Sequence, residues 1–300
     1  QRQMCIRDST NRNHRRHPTS IHHHNPNFNI YFRNLMKKNN IFHLVETSPW
    51  PIISSINANI FIISLVTILK TKINTPYLLR LTLVISSSII WWSSVKRERS
   101  LLGLHNKPIL KTLKLRFALF IISEALLFTS IFWNFLHNSL SPAIDLGRYW
   151  PPNTTLIANP YLLPTYGTIL LLSSRIFLTK AHHSITIKTT KTNNINKNIL
   201  KTIILGLLFL DIQITEYTQS NFAITTFNES SFRRIFFLTT GLHGSHVLIG
   251  VIFLTYTLIF NLNFNISPTK HTRLEIATWY WHFVDIVWLF VFTLIYWINA

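Results

Sequence analysis

Long apolar runs separated by short polar stretches make up most of the chain, and inside those runs the polar stripe of a surface helix, recurring every 3.6 residues, is missing. A bilayer core of ~30 Å takes ~20 mostly apolar helical residues to cross. Seven runs meet that need: Ile52–Leu69, Tyr77–Val95, Phe117–Leu136, Tyr161–Thr179, Ile199–Tyr217, Ile235–Phe260 and Ile276–Ile298. The third, FALFIISEALLFTSIFWNFL, holds a single charge, Glu124. The sixth and seventh are the strongest, while Asn57, Asn59, Arg80 and Ser86–Ser88 dilute the first two. The pattern predicts an all-α integral membrane protein with seven transmembrane helices. A large soluble bundle would need a solvent face on each helix, and these runs have none.

Composition agrees. Of 300 residues, 48% are hydrophobic and 13% charged, about half the charged share of an ordinary soluble domain. The single cysteine, Cys5, excludes a disulfide scaffold. The net charge of +19 would point to nucleic acid if the basic residues formed a patch on a folded surface. Instead they stand between the spans. Lys96, Arg97, Arg99, Lys107, Lys111, Lys114 and Arg116 follow span two, Lys180, Lys188, Lys191, Lys197 and Lys201 follow span four, and Lys270 and Arg273 follow span six. Only Lys70, Lys72, Arg148, Arg233 and Arg234 fall on the other side. By the positive-inside rule this alternation puts the N-terminus on the side of synthesis. Trp and Tyr gather near span ends, as expected at lipid–water interfaces: Trp50, Trp91, Trp92, Tyr149, Trp150, Trp279, Tyr280, Trp281, Tyr296 and Trp297.

Residues 1–35 are of another kind, with six Arg, one Asp, five His and no apolar periodicity. They lack the apolar core of a secretory signal, and three adjacent histidines, His22–His24, without a second cluster make a poor metal site. The expectation is that 1–35 form a non-native or unstructured extension, with Met36 as the natural start and 36–300 as the seven-span domain.

Ordered motifs then carry a resemblance. SPWPI opens span one, WWSSVKRERSLLGLH follows span two, FIISEALLF lies in span three, and AHHS follows span four. TTGLHGSHVLIG lies in span six, and EIATWYWHFVDIVWLFVFTLIYW closes the chain. Together they resemble cytochrome c oxidase subunit III of the mitochondrial type, from about Met36 to Ala300. The resemblance implies a multi-pass protein of the mitochondrial inner membrane, N-terminus in the matrix, whose helices split into a pair and a bundle of five around a lipid-binding cleft. It implies a non-catalytic core subunit that packs against subunit I and beside subunit II, which hold the haem and copper. This chain would carry no cofactor of its own beyond bound phospholipid.

The same resemblance implies that Trp92, Arg97, Glu98 and His105 hold a phospholipid headgroup. The chemistry fits: an indole for the interface, a guanidinium for phosphate and an acid for an amine. Here the family often has WWRDV where this chain has Trp91–Trp92–Ser93–Ser94–Val95. Glu124, about 10 Å into span three, matches the family's intramembrane carboxylate. As an unpaired ion it would be costly there, so it is expected to be protonated or hydrogen-bonded. Glu216, His243, His246, His282 and Asp285 are expected to be interhelical polar residues. Two charges depart from the family pattern: Asp211, at a depth that allows a pair with His243, and Arg175, expected to snorkel towards the interface from near Lys180. Phe260 and Asn263 replace a family basic pair after span six.

Two rival functions remain. A His-box membrane oxidoreductase would use His182–His183, His243, His246 and His282 as ligands, yet the spans set them at different depths. A proton or solute carrier using Glu124 and Asp211 would bring broken helices and an internal repeat.

Overall fold

A computed structural model of the chain describes residues 47–71, 75–100, 107–142, 150–151, 159–187, 192–219, 231–264 and 271–299. The expected extension, 1–35, lies outside them, as does His105, and for Glu98 only the backbone is described. Regular structure among the described residues is entirely helical. The helices are α1 (Trp50–Thr71), α2 (Thr75–Ser100), α3 (Lys107–Leu140), α4 (Leu163–Thr186), α5 (Thr192–Gln219), α6 (Ser231–Phe264) and α7 (Thr272–Val291), the last continued by a π-helical turn, Phe292–Trp297. The fold class is that of an all-α membrane protein.

Proline sets four of the starts. Pro51, Pro76, Pro108 and Pro164 each occupy the second position of a helix. The missing N–H is harmless in a first turn, where no intrahelical acceptor exists for it, and the fixed φ already suits the helix. Five helices, α2, α3, α5, α6 and α7, have stretches long and apolar enough to cross a membrane. In α1 the strongly apolar part is shorter, Trp50–Ser64, and α4 is diluted by Ser173, Ser174, Arg175 and Lys180.

The chain divides into two compact units, residues 1–109 and 110–300. In the first, α1 and α2 pair, with Ser64 and Ser87 buried and the Asn57 amide donating to the Leu83 carbonyl at 3.4 Å. In the second, α3–α7 form a bundle in which α7 is the most enclosed, half of its apolar stretch being buried against 11% for α3. The distribution of residue types inverts that of a soluble protein. Ile122, Leu126, Ile169, Ile176, Leu207, Ile249, Ile252 and many like them face outward, while Thr202, Gln213, Glu216, His243 and Asp285 are buried. Apolar surface on that scale suits lipid, and polar groups inside a membrane bundle turn to one another.

Trp281 of α7 fixes the centre of the bundle. Its ring enters a slot that exists because Gly206 on α5 and Gly250 on α6 lack side chains. A Cβ at Gly206 would lie 2.6 Å from Trp281 Cη2, and one at Gly250 would lie 2.9 Å from Cε3. The indole Nε1 donates to Ser174 Oγ of α4 at 2.9 Å, so one side chain joins four helices.

Candidate functional site

In the first unit, Trp92 and Arg97 lie on the last three turns of α2, both exposed. Five residues separate them, about 8 Å along the axis. Arg97 has no hydrogen bond or ion pair among the described residues, which leaves its guanidinium available to a phosphate.

In the second unit the polar side chains sort into separate contacts. Glu124, in the middle of α3, meets His246 of α6, Oε2 to Nε2, at 2.9 Å. The other imidazole nitrogen, Nδ1, lies 2.8 Å from the Leu242 carbonyl. A carbonyl only accepts, so Nδ1 carries a hydrogen. The 2.9 Å contact then needs one further proton, held either by the carboxyl, which donates to neutral imidazole, or by an imidazolium, which donates to carboxylate. In both cases the pair is neutral overall, which is the arrangement a low-dielectric interior favours. Phe128 packs edge-on to the imidazole, centroids 5.2 Å apart, and Tyr280 stacks over it at 6.4 Å.

His243, one turn earlier on α6, turns to a different helix. It is wholly buried, with Nε2 3.2 Å from the Val284 carbonyl of α7, and its ring packs against Trp288 and Phe209. Nε2 must therefore donate. His243 and His246 have the sequence spacing of a ligand pair, but α7 takes one and α3 the other. Asp211 does not pair with His243, contrary to the sequence expectation. Its neighbour two residues back, Phe209, points inward onto His243, and two residues of helix turn a side chain ~200°, so Asp211 is exposed on the far side of α5.

Arg175 is also not simply snorkelled. Its Nη1 lies 3.3 Å from Oδ2 of the fully buried Asp285, although the Arg175 side chain remains 41% exposed. Asp285 sits between Trp281 and Trp288 on α7, and Trp288 Nε1 donates to Thr168 Oγ1 of α4 at 3.0 Å. Positions 281, 285 and 288 fall on one helical face and meet Ser174, Arg175 and Thr168 of α4. His282 lies next to this face, half-buried, with its Nδ1 unpartnered among the described residues.

Glu216 accepts from Gln213 Nε2 at 2.9 Å and from the Tyr296 hydroxyl at 3.1 Å, all three being buried. The adjacent Tyr217 donates to Thr240 Oγ1 of α6 at 2.6 Å. At the same end Trp150 packs between Phe135 and Phe232 and donates to Asn299 Oδ1 at 3.1 Å, while the Asn299 amide caps the Leu294 and Ile295 carbonyls. At the opposite end Lys114 of α3 meets Glu275 of α7 at 2.5 Å. Phe260, which replaces a family basic residue, carries the Arg273 guanidinium 3.5 Å above its ring.

Sequence reasoning passed over Trp288, Ser174, Thr168 and the pairing of Gly206 with Gly250, and it set Tyr280, Trp281 and Tyr296 at the lipid–water interface, whereas all three are buried within the bundle. The available signal was a pair of Trp seven residues apart on one face of the last span, opposite a span whose one glycine is Gly206. Among the described residues no three of His, Cys, Asp or Glu converge as metal ligands. The geometry suits interhelical cross-bracing in the bundle.

Comparison with known proteins gives a consistent result. Residues 40–300 match the family described as cytochrome c oxidase subunit III. Curated relatives named cytochrome c oxidase subunit 3 include that of Myxine glutinosa, 40% identical over 263 residues, covering 88% of this chain and 99% of the relative. That of Rhipicephalus sanguineus is 43% identical over 258 residues, covering 85% and 98%, and that of Aedes aegypti 40% over 259 residues, covering 86% and 97%.

Proposed function

The chain belongs to the cytochrome c oxidase subunit III family, and on that premise we propose that it is a non-catalytic core subunit of the terminal oxidase of the mitochondrial inner membrane. It packs against subunit I, beside subunit II, and stabilises subunit I during turnover. Haem and copper belong to those partners, and electron transfer from cytochrome c to oxygen takes place there. The N-terminus faces the matrix, the side on which the loop Lys and Arg accumulate.

The observation that carries this reading is the extent of the match, residues 40–300, which takes in all seven helices. The internal geometry supports a structural role. Glu124, His246, His243, Asp285 and Arg175 each bond to a neighbouring helix of the bundle. The second part of the role is to hold phospholipid, with Trp92, Arg97, Glu98 and His105 as the headgroup set. In support, the Trp92 indole and the Arg97 guanidinium are both exposed, and Arg97 has no ion pair among the described residues.

Purification from the native membrane in mild detergent tests the assignment. The chain is expected to elute with haem- and copper-bearing partners and with phospholipid retained. Stoichiometric iron or copper in the isolated chain, free of partners, would overturn it. Within the assembled complex, Arg97→Gln is expected to release about one phospholipid per complex without loss of the subunit, counted by phosphorus analysis.

A further inference from the structure

We propose that the outward face of α4 holds the phosphate of an anionic phospholipid, in a groove lined by Arg175, Ile176, Thr179, Lys180 and His183. The site uses none of the residues named on α2 and belongs to the other unit of the chain. It requires only that α4 stands in a membrane. The groove measures ≈ 330 Å³, room for about ten waters at liquid density. Its lining residues follow one another at i, i+1, i+4, i+5 and i+8, which is a single stripe along the last turns of a helix. Three of the five offer nitrogen donors, and no acid lines the groove.

Arg175 is already held in place for this task. Asp285, buried beneath it, takes one contact through Nη1. A guanidinium has five N–H donors in a planar fork, and the exposed part of the side chain keeps the others outside. The buried carboxylate thus anchors the arginine from within, as a pre-organised receptor for a second anion. Lys180 stands five residues further on, about 8 Å along the axis, and because helical side chains lean towards the N-terminus a lysine there can bring its ammonium back towards the held guanidinium. His183 adds a third donor one turn past Thr179.

The other half of the lipid also finds a place. Ile176, Leu172 and Ile169 are all exposed and continue the same stripe deeper along α4. An acyl chain laid along them would cover side chains that nothing else in the described bundle covers, while its phosphate sat at Arg175 and Lys180. The headgroup should be anionic. A zwitterionic lipid brings an amine, and this groove has no carboxylate to receive one, Asp285 being buried and already paired. An acidic segment of another subunit is the competing occupant, and it would leave the apolar half of the stripe without a match.

The test uses the assembled complex that contains this chain, reconstituted in lipid nanodiscs with a trace of photoactivatable phosphatidylglycerol. Illumination is expected to label the peptide spanning 169–187. Excess phosphatidylglycerol should suppress the label, whereas phosphatidylcholine and inorganic phosphate at equal concentration should not. Suppression by inorganic phosphate would make this a free-anion site, and a crosslink from this peptide to another subunit would make it a protein contact. Either result, or absence of label here, overturns the proposal. Lys180→Gln with His183→Gln, which leaves the Arg175–Asp285 pair intact, should weaken phosphatidylglycerol binding by about tenfold. Unchanged binding in that variant would also defeat it.

Discussion

Glu124 and His246 share one proton because each end of the imidazole is committed, Nδ1 to a carbonyl and Nε2 to the carboxyl. That fixes which substitutions the site tolerates. Glutamine at position 124 can still donate to Nε2 of a neutral imidazole, so Glu124→Gln should change the stability of the assembled complex by less than about 1 kcal/mol. Alanine leaves Nε2 buried with no partner, at about 1–3 kcal/mol. Replacing both members, Glu124→Leu with His246→Phe, removes the need for a proton and should recover most of that loss. Thermal unfolding of the purified complex reads all three. A double variant as damaged as Glu124→Ala would show that the pair does more than brace two helices. The Arg175–Asp285 contact behaves differently, because its partners differ in burial. Without Asp285, Arg175 can extend towards the interface, so Asp285→Leu should be mild. Without Arg175, the buried carboxylate has no counter-charge, so Arg175→Leu should cost about 3 kcal/mol or more. Equal losses from the two would contradict this asymmetry.

At the scale of elements, the bundle depends on where side chains are missing. Trp281 is held on three sides, by Gly206, by Gly250 and by the hydrogen bond to Ser174, and so has no room to yield. A methyl at Gly206 meets the far edge of the indole at 2.6 Å. Overpacking of this kind costs about 1–3 kcal/mol, and Gly206→Ala should lower the melting temperature of the complex and expose tryptophan fluorescence to quencher. Gly244, by contrast, has open space on its Cβ side, with no neighbouring atom within 4 Å of where a methyl would stand, and alanine is the better helix former by about 1 kcal/mol. Gly244→Ala should therefore leave the internal packing undisturbed. If it nonetheless reduced recovery of the other subunits, Gly244 would lie at a subunit contact. The helices themselves are legible in the sequence because apolar run length and proline position are local properties. The slot for Trp281 is not, since it joins positions 206, 250 and 281 on three helices. Asp211 shows the same limit: its depth was legible, but its direction around α5 depends on Phe209 facing His243.

For the whole molecule, charge and topology form one problem. In the proposed seven-span topology most of the loop Lys and Arg that gave the chain the look of a nucleic-acid binder fall on one side, with Lys70, Lys72, Arg148, Arg233 and Arg234 on the other, and the inward-facing polar groups are taken up between helices. The residual basic character is thus a record of insertion, with Arg97, Arg175 and Lys180 left as the places where it can meet a lipid phosphate. The orientation has a direct consequence. Ser141, after α3, belongs to the sparsely charged side, while Asn194, in the first turn of α5, belongs to the Lys-rich side, and both are exposed. Cys5 is the chain's only thiol, so with Cys5→Ser single reporters can be placed at will. In mitochondria stripped of the outer membrane, a membrane-impermeant maleimide should label Ser141→Cys directly and label Asn194→Cys only after the inner membrane is opened. The reverse result would invert the orientation, and labelling of both without opening would mean that the number of spans between them is even.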